Sequence, residues 1–245
     1  MASTSETGHV KNVANLEDLI SFCRGYGASY NPVKDHMKLA QLTTLYEEAN
    51  SVLDELKLGK TNFDIATNAR RIAFNDLKPL STKIVNAFTV LVGSDLAIAD
   101  ARGINRKIQG TGTRKKTETT EASESEMLPK SISTSQQSYD RFIDHLGSLI
   151  KLLEQYPTYT PNETALTIAQ LNTKLNLLRT TNTSLIDTYT NYSNAMMHRD
   201  KLLYDVETGL IKTTKEIKQY VKSIFGATSP EFKQINKLAF KTLIR

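Results

Sequence analysis

From Val33 onward the apolar residues recur at alternating spacings of three and four, the mark of helices that bury one stripe. Leu42, Ala49, Leu56, Phe63, Arg70, Leu77, Ile84 and Leu91 form one seven-residue series, with Tyr46, Leu53, Phe74 and Phe88 in the companion series. Further on, Leu171, Leu178, Leu185, Tyr192, Arg199, Val206 and Tyr220 alternate with Leu175, Tyr189, Met196, Leu203, Leu210, Ile217 and Ile224. A seven-residue repeat this long predicts helices packed at a shallow crossing angle, as in bundles and coiled coils. Shorter helices are expected at about Val13–Arg24, Leu96–Ile108 and Pro230–Leu243, the last opened by Ser229-Pro230-Glu231.

The two seams belong to a stretch that occurs twice, Tyr30–Gln109 and Tyr159–Phe240. Each opens on Tyr-x-Pro (Tyr30/Pro32, Tyr159/Pro161) and continues to Ala-Gln-Leu (Ala40-Gln41-Leu42, Ala169-Gln170-Leu171). At one constant offset Asn62 matches Asn191, Arg70 matches Arg199 and Asp76 matches Asp205. The expected architecture is therefore all-α, two tandem, internally duplicated helical-bundle (coiled-coil-like) units. Its segments are a disordered N-terminus over 1–11, repeat 1 over 12–109, a flexible charged linker over 110–137, and repeat 2 over 138–245. Inside each repeat two readings stand. Gly59, followed by Thr61-x-x-Asp64, and the Thr/Asn-rich run 180–193 suggest a helical hairpin, which is placed first. The register running straight through both regions suggests one long kinked rod instead. Pro79 and Gly209, one residue apart in the alignment, mark a second interruption.

Composition narrows the picture without naming a chemistry. The 245 residues hold 39% hydrophobic side chains, no Trp and few Gly or Pro, which suits helices better than sheets. A net charge of +5 permits an acidic partner without demanding one. Cys23 is the single cysteine, so no intramolecular disulfide forms, and its match to Leu153 makes it a small buried hydrophobe. The polar start, Met1–His9, lacks the core of a signal peptide, and Ala87–Ala101 is too short to cross a bilayer. A soluble, cytoplasmic protein is expected.

No catalytic constellation survives inspection. Gly59-Lys60-Thr61 lacks the first glycine of a phosphate loop (Asp54 stands there), and His198-Arg199-Asp200 matches a kinase triplet by letters alone. His9, His36, His145 and His198 are scattered, without metal-ligand spacing. The chain is expected not to be an enzyme, and no cofactor or metal is implied. Arg70 and Arg199 fall on the apolar seam in both copies, where a guanidinium needs a partner; Asp76 and Asp205 are the shared carboxylates, so structural ion pairs are expected. Arg106, Lys107, Arg114, Lys115 and Lys116 follow copy one, and Lys233, Lys237, Lys241 and Arg245 are spaced four apart after copy two. These are the candidate polyanion contacts.

The pattern resembles a group of bacterial proteins of the Bacteroidota, made of two helical units with a charged linker between. The residues that carry the likeness are Tyr30-x-Pro32 and Tyr159-x-Pro161, Ile104-Asn105-Arg106-Lys107-Ile108-Gln109-Gly110, and Phe225-Gly226-Ala227-x-Ser229-Pro230-Glu231-Phe232-Lys233-Gln234. The resemblance implies fold and source, and it transfers no catalytic residue. The expected role is a non-enzymatic helical interaction or structural protein, with protein partners (itself or other helices). Nucleic-acid or polyanion binding through the basic segments is the alternative.

Overall fold

A computed structural model describes residues 4–110 and 137–243. Residues 1–3, 244–245 and 111–136 of the expected linker lie outside the described residues, with Arg114, Lys115, Lys116 and Arg245 among them. Every regular element described is helical. In order they are α1 (Thr4–Gly25), 3-10 turns at Gly27–Ser29 and Asp35–Met37, α2 (Leu39–Phe74), α3 (Leu77–Val92), α4 (Asp95–Gln109), α5 (Tyr139–Glu154), a 3-10 turn at Thr164–Leu166, α6 (Ile168–Tyr204), α7 (Leu210–Phe225) and α8 (Pro230–Asn236).

The two seven-residue seams are the two long helices. α2 passes through Gly59 without a break, so the hairpin placed first is corrected to the long-helix reading. Gly59 is there for close approach: a Cβ at this position would sit 3.4 Å from the Cα of Tyr192 on α6. Thr61 does not cap a new helix; its hydroxyl donates to the Lys57 carbonyl one turn back, at 2.9 Å. Thr180 and Thr181 bond back to Asn176 and Leu177 in the same way, which lets a Thr-rich run stay helical in α6. The long helices do end near Pro79 and Gly209. α3 restarts at Leu77, with Pro79 in a first turn that needs no donor, and Gly209 caps α7.

The chain divides into two compact units, and each draws on both matched stretches. Unit 1 takes α1, α2 as far as Asp64, α6 from Thr188, α7 and α8. Its core joins Leu16, Leu19, Cys23, Leu42 and Leu53 to Leu203, Leu210, Ile217, Val221 and Ile235. Unit 2 takes α2 from Ile65, α3, α4, α5 and α6 as far as Asp187. Its core joins Leu77, Ile84, Phe88 and Ile108 to Leu146, Leu149, Leu153, Leu171 and Leu178. Within unit 1 the long helices run antiparallel, as Glu55 meets His198 and Phe63 meets Tyr189. Within unit 2 they do so again, as Arg70 meets Asn182 and Asp76 meets Lys174. Both units share one local device. The buried Tyr30 hydroxyl donates to the Met37 carbonyl at 2.7 Å, and the buried Tyr159 hydroxyl to the Leu166 carbonyl at 2.9 Å.

Both chain ends differ from expectation. Residues 4–11 are helical, because the polar run carries His9 and Asn12, which are 2% and 1% exposed and bonded into unit 1. At the other end α8 stops at Asn236, so Lys241 does not share a helical face with Lys233 and Lys237. The backbone beyond finds side-chain partners instead: Asn12 and Asn15 of α1 and Lys218 of α7.

Candidate functional site

The seam arginines are where the sequence concentrates charge. In unit 1 Arg199 is the largest fully buried side chain, 1% exposed, and its Nε and Nη2 both donate to Oδ1 of neighbouring Asp200, at 2.9 and 2.7 Å. Asp205 is not its partner. That carboxylate accepts from the backbone N–H groups of Glu207 and Thr208 and from the Thr208 hydroxyl, closing the turn after α6. The backbone donors, Thr208 first, hold the Asp205 carboxyl below its ordinary value. In unit 2 the Arg70 guanidinium lies 4.0 Å over the Tyr139 ring, and its Nη1 donates to Asn182 at 3.1 Å. Asn182 passes its amide on to Asp140 at 2.8 Å. Asp76, six positions past Arg70, pairs with Lys174 on the other long helix. The expected Arg70–Asp76 and Arg199–Asp205 pairs are thus replaced, because a nearer partner reaches each group first. The Arg70 Nε is buried without a hydrogen-bond partner, a cost that stacking on Tyr139 offsets in part.

A buried polar knot in unit 1, five residues beyond Arg199 at its Tyr204 end, was missed by sequence reasoning. His9 Nδ1 meets the Tyr204 hydroxyl at 2.5 Å, and Asn12 donates to the same oxygen at 3.3 Å. His9 is closed to solvent, so this pair ties α1 to α6 rather than facing a substrate. The signal for it was the spacing His9–Asn12–Leu16, which continues the apolar face of α1 one turn upstream with polar side chains. Cys23 lies in the core of the same unit, where burial pushes its thiol up to about 12 and leaves it protonated at neutral pH.

A second cluster lies on the surface of unit 1. Glu216 on α7 accepts from His36 at 2.7 Å and Lys34 at 3.4 Å, both in the segment before α2, and from Lys212 at 3.4 Å. The His36 hydrogen bond, with Lys212 and Lys34 behind it, holds the Glu216 carboxyl down to about 2. An open groove of about 370 Å³ runs beside it, with Pro32, Val33, Met37, Gln219 and Tyr220 in its walls. In unit 2 a smaller groove, about 230 Å³, is bordered by Asp140, Asp144, Arg179 and Thr183. Among the described residues no group of three or more His, Cys, Asp or Glu side chains could hold a metal ion. Nor is any described helix long and apolar enough to cross a membrane.

The candidate polyanion contacts fall in two places. Arg106 and Lys107 end α4 in unit 2, and Arg106 is spent in part on the Arg102 carbonyl. Lys233, Lys237 and Lys241 are exposed in unit 1, on and after α8. The fold defines an all-α protein of several packed helices. In comparisons with protein-family models, curated proteins and solved structures, nothing matches the chain.

Proposed function

We propose that the protein is a non-enzymatic helical interaction or structural protein built from a duplicated, coiled-coil-like unit, and that it presents apolar helix surface to protein partners. The duplication is supported by the element order, which runs helix, 3-10 turn (two of them in the first stretch), long helix and two further helices twice over, and by the Tyr30 and Tyr159 anchors. The interaction role is carried by one observation in unit 2. Ile65 and Ile72 stand seven residues apart on α2 and are 61% and 75% exposed. The matching positions of the second stretch are Asn194 and Lys201, so the repeated architecture does not call for isoleucine there. Solvated apolar side chains at helical spacing mark a surface awaiting a partner helix. A photo-crosslinking residue at position 72 should capture one dominant protein partner, or a second copy, and the same residue at position 201 should not. Equal, weak labelling from both positions would refute the reading.

Polyanion binding is the second reading. It is favoured by Lys233 and Lys237, exposed lysines with no carboxylate partner among the described residues. Affinity for random-sequence DNA should then fall steeply with added salt. Negligible affinity even at low salt would remove it.

A further inference from the structure

The chain beyond α8 is held in an unusual way. Residues 239–243 belong to no helix or turn and make no main-chain hydrogen bond with other main chain among the described residues. Side chains of α1 and α7 read their backbone instead. Asn12 uses its amide twice on Lys241, donating to the carbonyl at 2.8 Å and accepting from the N–H at 3.0 Å. Asn15 donates to the Ala239 carbonyl at 2.7 Å, and Lys218 to the Leu238 carbonyl at 2.5 Å. Leu238 and Phe240 turn toward the unit 1 core, the Phe240 ring lying 5.3 Å from the Lys218 ammonium. Gly8 leaves the space that Leu243 fills, for a Cβ there would fall 2.5 Å from its Cδ1. Main-chain groups bonded by side chains of other elements, with half-buried apolar side chains at alternate positions, are how a peptide segment is recognised. The receptor side, Asn12, Asn15, Lys218 and Gly8, belongs wholly to other elements.

We infer that α1 and α7 form a groove for a peptide segment, that residues 237–243 occupy it in cis, and that the same segment of a second copy enters it when the cis segment is displaced. This groove is separate from the α2 surface, and the inference does not rest on that reading. A second copy is the occupant because its segment presents the same Leu238/Phe240 spacing and the same main-chain groups, and because the segment leaves α8 through the irregular Lys237–Leu238 step, a hinge suited to exchange. In cis the segment has the advantage of high effective concentration, so the chain keeps its own segment seated.

Two full-length variants separate groove from occupant. Lys241→Pro removes the N–H that donates to Asn12, and so loosens the cis segment in an intact groove. Asn12→Ala breaks the groove, and so frees an intact segment. Mixed, the two should associate one to one in sedimentation, beyond the association of either alone. A fluorescent peptide with the sequence of residues 237–245 should bind the Lys241→Pro chain at least about tenfold more tightly than the parent chain, through relief of cis competition. Adding Asn12→Ala to Lys241→Pro should cost about tenfold of that affinity, the worth of the two Asn12 hydrogen bonds. A chain ending at Asn236 that keeps the parent's helicity is a further arm, and it should also take up the peptide. Folded variants that neither associate nor bind the peptide would overturn the inference, as would equal binding by the parent and the Lys241→Pro chain.

Discussion

Gly59 decides between a turn and a continuous helix, and its replacement by alanine turns that decision into a sign. Glycine in a helix interior costs about 0.5–1 kcal/mol relative to alanine, because it forfeits more backbone freedom on folding. In α2 the new methyl would lie 3.4 Å from the Tyr192 Cα and 3.7 Å from its Cβ and Cδ2, which is ordinary contact. Those contacts add about 0.1–0.2 kcal/mol each. Gly59→Ala should therefore stabilise the protein by about 1 kcal/mol, or roughly 2–4 °C in melting temperature for a chain of this size. Gly59→Leu, whose branch would press on the α6 backbone, should instead cost about 1–3 kcal/mol. Urea denaturation followed by far-UV circular dichroism measures both. At Gly27, where φ is +57°, alanine should be destabilising, which supplies a control of opposite sign. If Gly59→Ala lost stability as Gly27→Ala does, position 59 would be a turn and the continuous helix would be wrong.

Arg199→Ala should cost about 3–5 kcal/mol, since it empties a fully buried site and strands the groups arranged around it, whereas Arg199→Met should recover part of that loss. Arg70→Ala, at a half-buried position with one nitrogen already unpaired, should cost clearly less in the same denaturation assay. Tyr30→Phe and Tyr159→Phe each remove one buried hydrogen bond to a carbonyl and should each cost about 1–3 kcal/mol, in similar measure. Glu216 has a folded pKa near 2 against an ordinary 4.5, so its contribution is fully present above 4.5 and is lost as pH falls toward 2. It is partly exposed, so that contribution should be no more than about 1 kcal/mol, and Glu216→Gln should flatten the acid limb of a stability-against-pH curve.

Much of the fold was legible in the sequence because helix periodicity is local. The seam positions Leu42, Leu56, Leu171, Leu178 and Arg199 are buried where the seven-residue series puts them. The hairpin misled because Gly59 and Thr61 use the same chemistry for two ends: glycine permits a turn or a close approach, and threonine caps a helix or bonds back into one. The N-terminal helix was missed because Thr4–His9 has no apolar face; its His9 is placed by Tyr204, far along the chain. The lysine spacing extended α8 too far for the reverse reason, since Asn12 and Asn15 bid for the backbone from a distant helix. That each unit joins the front of one stretch to the back of the other was not legible at all. Two matched seams offer nearly the same apolar stripe, so either one could pack on itself or on its twin.

That exchange is the claim on which the rest depends, and unit 1 offers a direct test. Glu55 of the first stretch and His198 of the second face each other there, both exposed, in a contact weak enough to replace. With Cys23 changed to alanine, spin labels at positions 55 and 198 should give a single short distance by double electron–electron resonance, little more than the ~8–10 Å spacing of packed helices plus the label arms. A long distance for that pair, with position 55 instead close to position 66 of its own stretch, would show each stretch folded on itself and contradict the account.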